Sequence, residues 1–231
     1  MFNRISHRYD LLNHVLSLGV DALWRRKMTR RLDPKTHERV LDLACGTGDV
    51  AAILCRRRHS VVGVDPATSM LAHSRRKCRQ DSGANKFFPI AGDGLALPFG
   101  TGVFDAATVA FGIRNIPDRL AALKELMRVI SPGGRLLLLE FTPSAGVFWK
   151  WFFSPYFRHV LPRIGSLISG DKEAYVYLVK SVEEFESPKK LVALMETSGF
   201  TIERVEGLSG GIATLFMATV PKRDLDQCSD R

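Results

Sequence analysis

Asp42, Gly46, Gly48, Asp65 and Asp93 are the residues whose types and spacing suggest chemistry first. In Val40-Leu-Asp-Leu-Ala-Cys-Gly-Thr-Gly-Asp49 an apolar strand carries Asp42 into a turn at Gly46 and Gly48, and a helix opens near Thr47. Glycines there let backbone N–H groups approach a ligand, and the helix start adds unpaired donors at its positive end. Such a turn holds an adenosyl cofactor. Gly46-Thr-Gly-Asp-Val-Ala51 also fits the loosened dinucleotide pattern, so the turn alone separates neither S-adenosylmethionine (SAM) from NAD nor a ligand site from a bare strand-to-helix turn.

Two further strand ends add acids. Ser60-Val-Val-Gly-Val-Asp65 ends in a carboxylate near the ~20-residue spacing expected of a ribose ligand. The segment Lys86 to Ala91 runs into Gly92-Asp93-Gly94, where an acid could meet the adenine amino group. Each aspartate alone could be a helix cap or turn residue; three together favour a ligand. A fourth strand, Asp105 to Ala110, delivers Phe111-Gly-Ile-Arg114-Asn115 at its C-terminal edge, where open α/β sheets place ligands. Arg114 is expected to meet substrate there, with pairing to a surface carboxylate as the alternative. Glu140, ending the fifth strand, is open to a structural role.

Alternating strands and helices must position these groups. We expect strand 39–44, helix 47–58, strand 60–65, helix 67–80, strand 86–91, strand 103–110, helix 117–130 and strand 134–141. Pro132-Gly133-Gly134 reads as a turn between the last two of these. Helices near 171–181 and 187–198, a strand over 200–206 and a last strand to about 219 follow. The order implies an α/β fold with a parallel sheet and right-handed crossovers. The first thirty residues read as helix, with Tyr9, Leu12, Leu16, Leu23 and Trp24 at helical intervals, forming a lid outside the core. Residues 142–170 hold Phe148, Trp149, Trp151, Phe152, Phe153, Tyr156 and Phe157, against 9% aromatics in the whole chain. They suit a wall around an apolar ligand, a face in the headgroup zone, or a small core of their own. One domain over 1–231 is expected: lid 1–35, cofactor-binding core 36–141, aromatic helical insertion 142–198, final hairpin 199–220 and tail 221–231.

Composition narrows the classes. A chain of 231 residues with 45% hydrophobic content can bury one α/β core. A net charge of +9 and a pI near 9.7 favour an anionic partner, nucleic acid or membrane surface, unless Arg25-Arg-Lys27, Arg56-Arg-Arg58 and Arg75-Arg-Lys77 are solvated helix faces. The four cysteines have no C-x-x-C spacing and no zinc-like pairing with histidine, so no metal site is expected and a reducing cytoplasm is the natural compartment. No signal peptide is readable, and Val147 to Ile168 carries four basic residues and two prolines, so it fails as a bilayer span.

The run Leu41-Asp-Leu-Ala-Cys-Gly-Thr-Gly48, with Val64-Asp65, Gly92-Asp93 and Pro132-Gly-Gly134, resembles the four-part signature of class I SAM-dependent methyltransferases. Tyr9-Asp-Leu-Leu-Asn13, Ser17-Leu-Gly19, Trp24, Leu97-Pro-Phe99, Phe111-Gly-Ile-Arg-Asn115, Arg128-Val129, Leu139-Glu-Phe141 and Tyr177-Leu178 extend the likeness. Together they resemble the menaquinone/ubiquinone C-methyltransferase family over about residues 2–217. The resemblance implies a class I fold of seven mostly parallel strands with a reversed final hairpin. It also implies methyl transfer from SAM to a ring carbon of a polyprenylated quinol such as demethylmenaquinol. Thr47, Asp65, Asp93 and Gly94 then match cofactor-contacting positions, Asp42, Gly46 and Gly48 shape the methionine side, and Ala110 stands where relatives often have serine. Arg114 is assigned to the developing oxyanion, and Tyr9 and Asn115 to orienting the ring; the resemblance, not spacing, brings Tyr9 to the site.

Departures include Asp21 for histidine, Cys45 for glycine, Ser131 for lysine, Thr142 for serine, Lys180 for glutamate and Phe216 for histidine. These leave open the ubiquinone-pathway benzoquinol or a paralogue's ring position as substrate. More distant alternatives are an RNA methyltransferase, a NAD-binding oxidoreductase and a non-catalytic assembly protein that keeps SAM as a structural ligand. No RNA-binding module or base-stacking motif is readable, and nucleic acid is not an expected partner. A cytoplasmic enzyme, peripheral on the inner face of the membrane and compatible with a homodimer, is the resulting expectation.

Overall fold

The computed structural model describes residues 17, 19–82, 86–142, 181–182 and 184–222. Helix α1 (Asp21–Thr29) precedes an alternation of β1 (Arg39–Leu43), α2 (Asp49–Arg56), β2 (Ser60–Asp65), α3 (Thr68–Ser82) and β3 (Phe87–Ala91). Then come β4 (Phe104–Ala110), a 3₁₀ turn (Ile113–Asn115), α4 (Arg119–Val129), β5 (Ile130–Phe141), α5 (Pro188–Thr197), β6 (Thr201–Leu208), a second 3₁₀ turn (Ser209–Gly211) and β7 (Ala213–Thr219).

All seven strands form one sheet in the order β3-β2-β1-β4-β5-β7-β6, and β7 alone runs antiparallel to both neighbours. The chain starts in the middle with β1, builds outward to β3, and returns to the other side with β4. The resulting switch point lies between β1 and β4, where neighbouring loops leave in opposite directions and open a crevice.

Alternation along β1 assigns its residues to two faces. Val40 packs with Trp24, Met28, Val50, Leu54 and Cys78 on the α1 and α2 side. Leu41 and Leu43 pack with Leu123, Leu126 and Leu191 on the α4 and α5 side. The tips of β1 and β4 approach so closely that a Cβ on Gly112 would lie 2.4 Å from that of Ala44.

Local chemistry sets the element ends. Helix α2 starts at Asp49 rather than 47, because Gly46 (φ +54°) and Gly48 (φ +86°) are left-handed, and it ends at Arg56, two residues before Arg58 at φ +74°. Asp118 caps α4, its side chain accepting from the Ala121 amide at 2.9 Å. The Pro132-Gly133-Gly134 turn is absorbed into β5, which begins at Ile130; between the Phe104–Ile130 and Ala106–Arg135 pairs the register slips to accommodate it.

The lid expectation needs correction over Asp21–Thr29. Trp24 and Met28 are buried in the core, so this helix belongs to the layer beside α2. The rest of the expected lid, the aromatic insertion over 143–170, the helix near 171–180 and the tail beyond 222 lie outside the described residues.

Candidate functional site

Four loops meet at the C-terminal edge of the parallel strands. After β1 the backbone turns left-handed at Ala44 (φ +55°), Gly46 and Gly48. Gly48 is required twice over: its φ suits glycine, and a Cβ there would sit 2.7 Å from that of Ser74 on α3. The loop is tied to β2, since Cys45 donates its amide to the Val64 carbonyl at 3.2 Å. Gly46 donates its amide to Asp65 Oδ2 at 3.0 Å, and the Ala67 amide reaches Oδ1 at 2.8 Å. Burial pushes the Asp65 carboxyl above its ordinary value, and these two amides oppose that shift.

Asp42 lies one step below the loop, 1% exposed. Thr108 on β4 donates its hydroxyl to Asp42 Oδ1 at 2.7 Å, while the buried Oδ2 makes no well-formed hydrogen bond among the described residues. Desolvation dominates, and the carboxyl rises from 3.8 to about 7. A carboxylate held this way suits a neighbouring cation. Asp93 is exposed beyond β3 and accepts from the Leu95 amide at 3.0 Å, so it acts as a turn residue, while a Cβ on the next residue, Gly94, would lie 3.3 Å from the side chains of Leu43 and Ile116. Gly94 and Thr47 are buried beside it and in the glycine loop.

The β4 side carries the substrate candidates. Ala110 ends β4 opposite Leu139, and Phe111 follows in a left-handed conformation (φ +58°) that costs a non-glycine residue of order 1–3 kcal/mol. Its ring is fixed by Phe141 at 4.6 Å and Trp24 at 6.3 Å between centroids. Arg114 and Asn115 sit in the 3₁₀ turn that follows. The Arg114 side chain is only 1% exposed and pairs through Nη1 with the wholly buried Glu140 Oε1. The guanidinium also lies 5.7 Å from the Phe141 ring centroid. The carboxylate alternative for Arg114 is therefore met by an interior partner rather than a surface one. Burial pushes the Glu140 carboxyl up and the Arg114 charge opposes it.

Thus Asp42, Gly46, Thr47, Gly48, Asp65, Asp93, Gly94, Ala110, Arg114 and Asn115 converge on one edge of the sheet, whereas Tyr9 lies outside the described residues. Sequence reasoning missed Glu140 as the partner of Arg114, and Arg25 and Asp49 as a link between α1 and the glycine loop. The second had a visible trace, because Asp21 and Arg25 stand at i, i+4. Two departures have structural reasons. Phe216 fills the α4 and α5 side of the core, and the Thr142 hydroxyl lies 2.6 Å from that of Thr214.

The residues fit SAM in shape and chemistry: left-handed glycines that keep the loop free of side-chain bulk, a carboxylate at the β2 tip, and a buried acid with an unsatisfied oxygen. A groove of about 490 Å³ lined by Asp33, His37, Arg135, Glu203 and Lys222 opens at the opposite edge. That edge lacks the loops of the switch point, and it carries no part of this site.

Solved structures share the fold. A SAM-dependent methyltransferase from Thermotoga maritima, described as a possible histamine N-methyltransferase, superposes with TM-score 0.67 at 20% identity, covering 95% of this chain and 98% of that one. Phosphoethanolamine N-methyltransferase 2 of Haemonchus contortus, in complex with SAM, gives TM-score 0.64 at 17% identity over 86% of this chain and 52% of that one. At sequence level, the demethylmenaquinone methyltransferase of Thermus thermophilus is 46% identical over 96% of this chain and 100% of its own length. The ubiquinone/menaquinone biosynthesis C-methyltransferase UbiE of Syntrophotalea carbinolica is 44% identical over 94% of this chain and 91% of its own. The model of the ubiE/COQ5 methyltransferase family matches residues 1–220. With its seven-stranded methyltransferase sheet and its glycine loop held by the β2 acid, this chain belongs to the ubiE/COQ5 methyltransferase family and is a SAM-dependent enzyme.

Proposed function

We propose that the enzyme methylates a ring carbon of a polyprenylated quinol, with demethylmenaquinol as the substrate and menaquinol as the product. The carrying observation is the crevice between β1 and β4, where the glycine loop and Asp65 face the Phe111–Asn115 turn, in a chain 46% identical to a demethylmenaquinone methyltransferase. SAM supplies an electrophilic methyl group. Asp65 would hold its adenosyl part, and the glycine loop would shape the methionine side with Asp42, whose buried carboxyl is held at about 7, beneath it.

A quinol hydroxyl has a pKa of ~10, so carbon attack needs the developing oxyanion stabilised. Arg114 stays protonated and serves that role with Glu140 fixing its orientation; it is not a base. Asn115 and Tyr9 orient the ring. Bound SAM would supply the methyl group to the ring carbon and leave as S-adenosylhomocysteine, and the proton that the ring carbon sheds as aromaticity returns would go to solvent.

Incubating the protein with methyl-labelled SAM and, separately, quinol extracts and RNA tests the assignment. Label is expected in the quinone fraction, and label in RNA would overturn it. Quinone mass spectrometry of cells lacking the protein distinguishes the naphthoquinol from the benzoquinol substrate by the precursor that accumulates one methyl short.

A polyprenyl tail leaves a bilayer reluctantly, at ~0.8 kcal/mol per CH₂. We therefore place the enzyme in the cytoplasm, peripheral on the inner membrane face, attached through residues 148–163 and α1. Leu23, 59% exposed, and the exposed Arg26, Lys27 and Arg30 lie at i, i+3, i+4 and i+7 and form one outward stripe on α1, which supports this reading. No helix among the described residues is long and apolar enough to cross a membrane. Sedimentation with anionic liposomes should deplete the protein from the supernatant; equal recovery without lipid would refute attachment.

A further inference from the structure

Arg25 looks from the sequence like one more positive charge in a basic run, yet it is 5% exposed. Its Nη1 donates to Asp21 Oδ2 at 2.6 Å on its own helix and to Asp49 Oδ2 at 2.7 Å. Asp49 is the first residue of α2, directly after Gly48, and its other oxygen pairs with Lys77 of α3. The same guanidinium lies 5.2 Å from the centroid of the Phe111 ring. One side chain thus touches the base of the glycine loop and the first residue beyond β4, the two walls of the crevice.

We propose that Arg25 is a positioning residue for the cofactor crevice, setting the α2 N-terminus against the Phe111 turn. Three features make it more than a structural ion pair. The guanidinium is planar, so while its Nη1 engages two carboxylates its face can lie toward the Phe111 ring, an arrangement that a compact, strongly hydrated ammonium reproduces only in part. The groups it holds are those whose placement decides the shape of the crevice: Asp49 follows the left-handed glycine loop and opens α2, and the φ +58° conformation of Phe111 persists only if its surroundings over-determine it. Arg25 lies between Asp21 and Asp49, with Lys77 on the far side of Asp49, so two cations offset two carboxylates and the cluster is neutral as a whole. Asp21 supplies part of that balance through its pair with Arg25.

The proposal rests on the SAM-binding reading of the crevice, so wild-type protein is titrated first with S-adenosylhomocysteine by calorimetry; absence of heat there would remove that reading and this one with it. Given wild-type binding, Arg25→Met is expected to weaken S-adenosylhomocysteine at least tenfold and to raise KM for SAM in step, measured per folded molecule below the melting transition. Arg25→Lys should bind at least threefold more tightly than Arg25→Met. Asp49→Asn should weaken binding at least fivefold, and the Arg25→Met/Asp49→Asn pair should lose no more than the worse single variant, because both break one link. A merely structural role lowers the melting temperature and leaves Kd and KM within twofold of wild type, and that result would overturn the proposal. So would fully multiplicative losses in the double variant. If Arg25→Met does not fold, Arg25→Lys and Asp49→Asn decide: both within twofold of wild type for S-adenosylhomocysteine also overturns it.

Discussion

Replacing Glu140 by glutamine removes the anion from the most deeply buried ion pair of the site. Both side chains are essentially inaccessible, at 1% for Arg114 and 0% for Glu140, so water cannot replace the lost partner. Breaking one member of such a pair costs about 3–5 kcal/mol, because an uncompensated charge stays in the interior. For a chain of 231 residues that corresponds to a melting temperature lower by about 6–20 °C. Arg114→Met alone should be comparably destabilising, whereas Arg114→Met with Glu140→Gln leaves no stranded charge, keeps an acceptor for the Phe141 and Arg114 amides, and should regain most of the loss. The double variant thereby separates packing from chemistry. If the guanidinium stabilises a developing oxyanion, the re-stabilised enzyme still turns over at least about 100-fold more slowly than wild type. Thermal melts followed by kcat per folded molecule measure both quantities. A Glu140→Gln protein within 1 kcal/mol of wild type would refute the reasoning about burial. A stable double variant with wild-type turnover would remove Arg114 from the reaction.

Asp42 gives a pH signature. With its carboxyl held at about 7 against an ordinary 3.8, the folded chain keeps a proton that the unfolded chain has lost. That component of stability falls as pH rises from about 4 to about 7, and Asp42→Asn, which still accepts from Thr108, should lack it. The advantage of the variant should grow across this window to an upper limit of about 4 kcal/mol; parallel stability curves in urea would contradict it. Gly48→Ala combines a left-handed φ with a 2.7 Å approach to Ser74 and should lose about 2–5 kcal/mol, while Gly19→Ala, with φ +79° but nothing within 4 Å, should show only the strain, about 1 kcal/mol. Similar losses at both positions would mean that the α3 contact is slack. Trp24→Ala should destabilise by about 3–5 kcal/mol, since its indole packs on Phe111 and Phe141 and donates to Ser209 at 3.0 Å; near-neutral chemical denaturation would show that α1 is not part of the core.

The strands and helices of the cofactor half were legible because their signals are local. Val40 to Leu43 and Ser60 to Asp65 read as strands from short, mostly apolar runs, valine-rich in the second, and the glycines between them announced the turn whatever surrounds them. The family likeness supplied the reversed final hairpin, which no periodicity in 200–219 encodes, because β7 is buried on both faces and reads as the same near-continuous apolar run as a parallel strand. Only the tertiary structure decided who meets whom. Arg114 finds Glu140 26 positions on, and Trp24 finds Ser209 185 positions on. Such partners are fixed by strand order and register, quantities that depend on the whole sheet closing at once. For the same reason Arg25 reads in sequence as a solvated charge and in the fold as a buried tie between two loops: a helix's exposed face is set by what packs on it, and that is decided elsewhere in the chain.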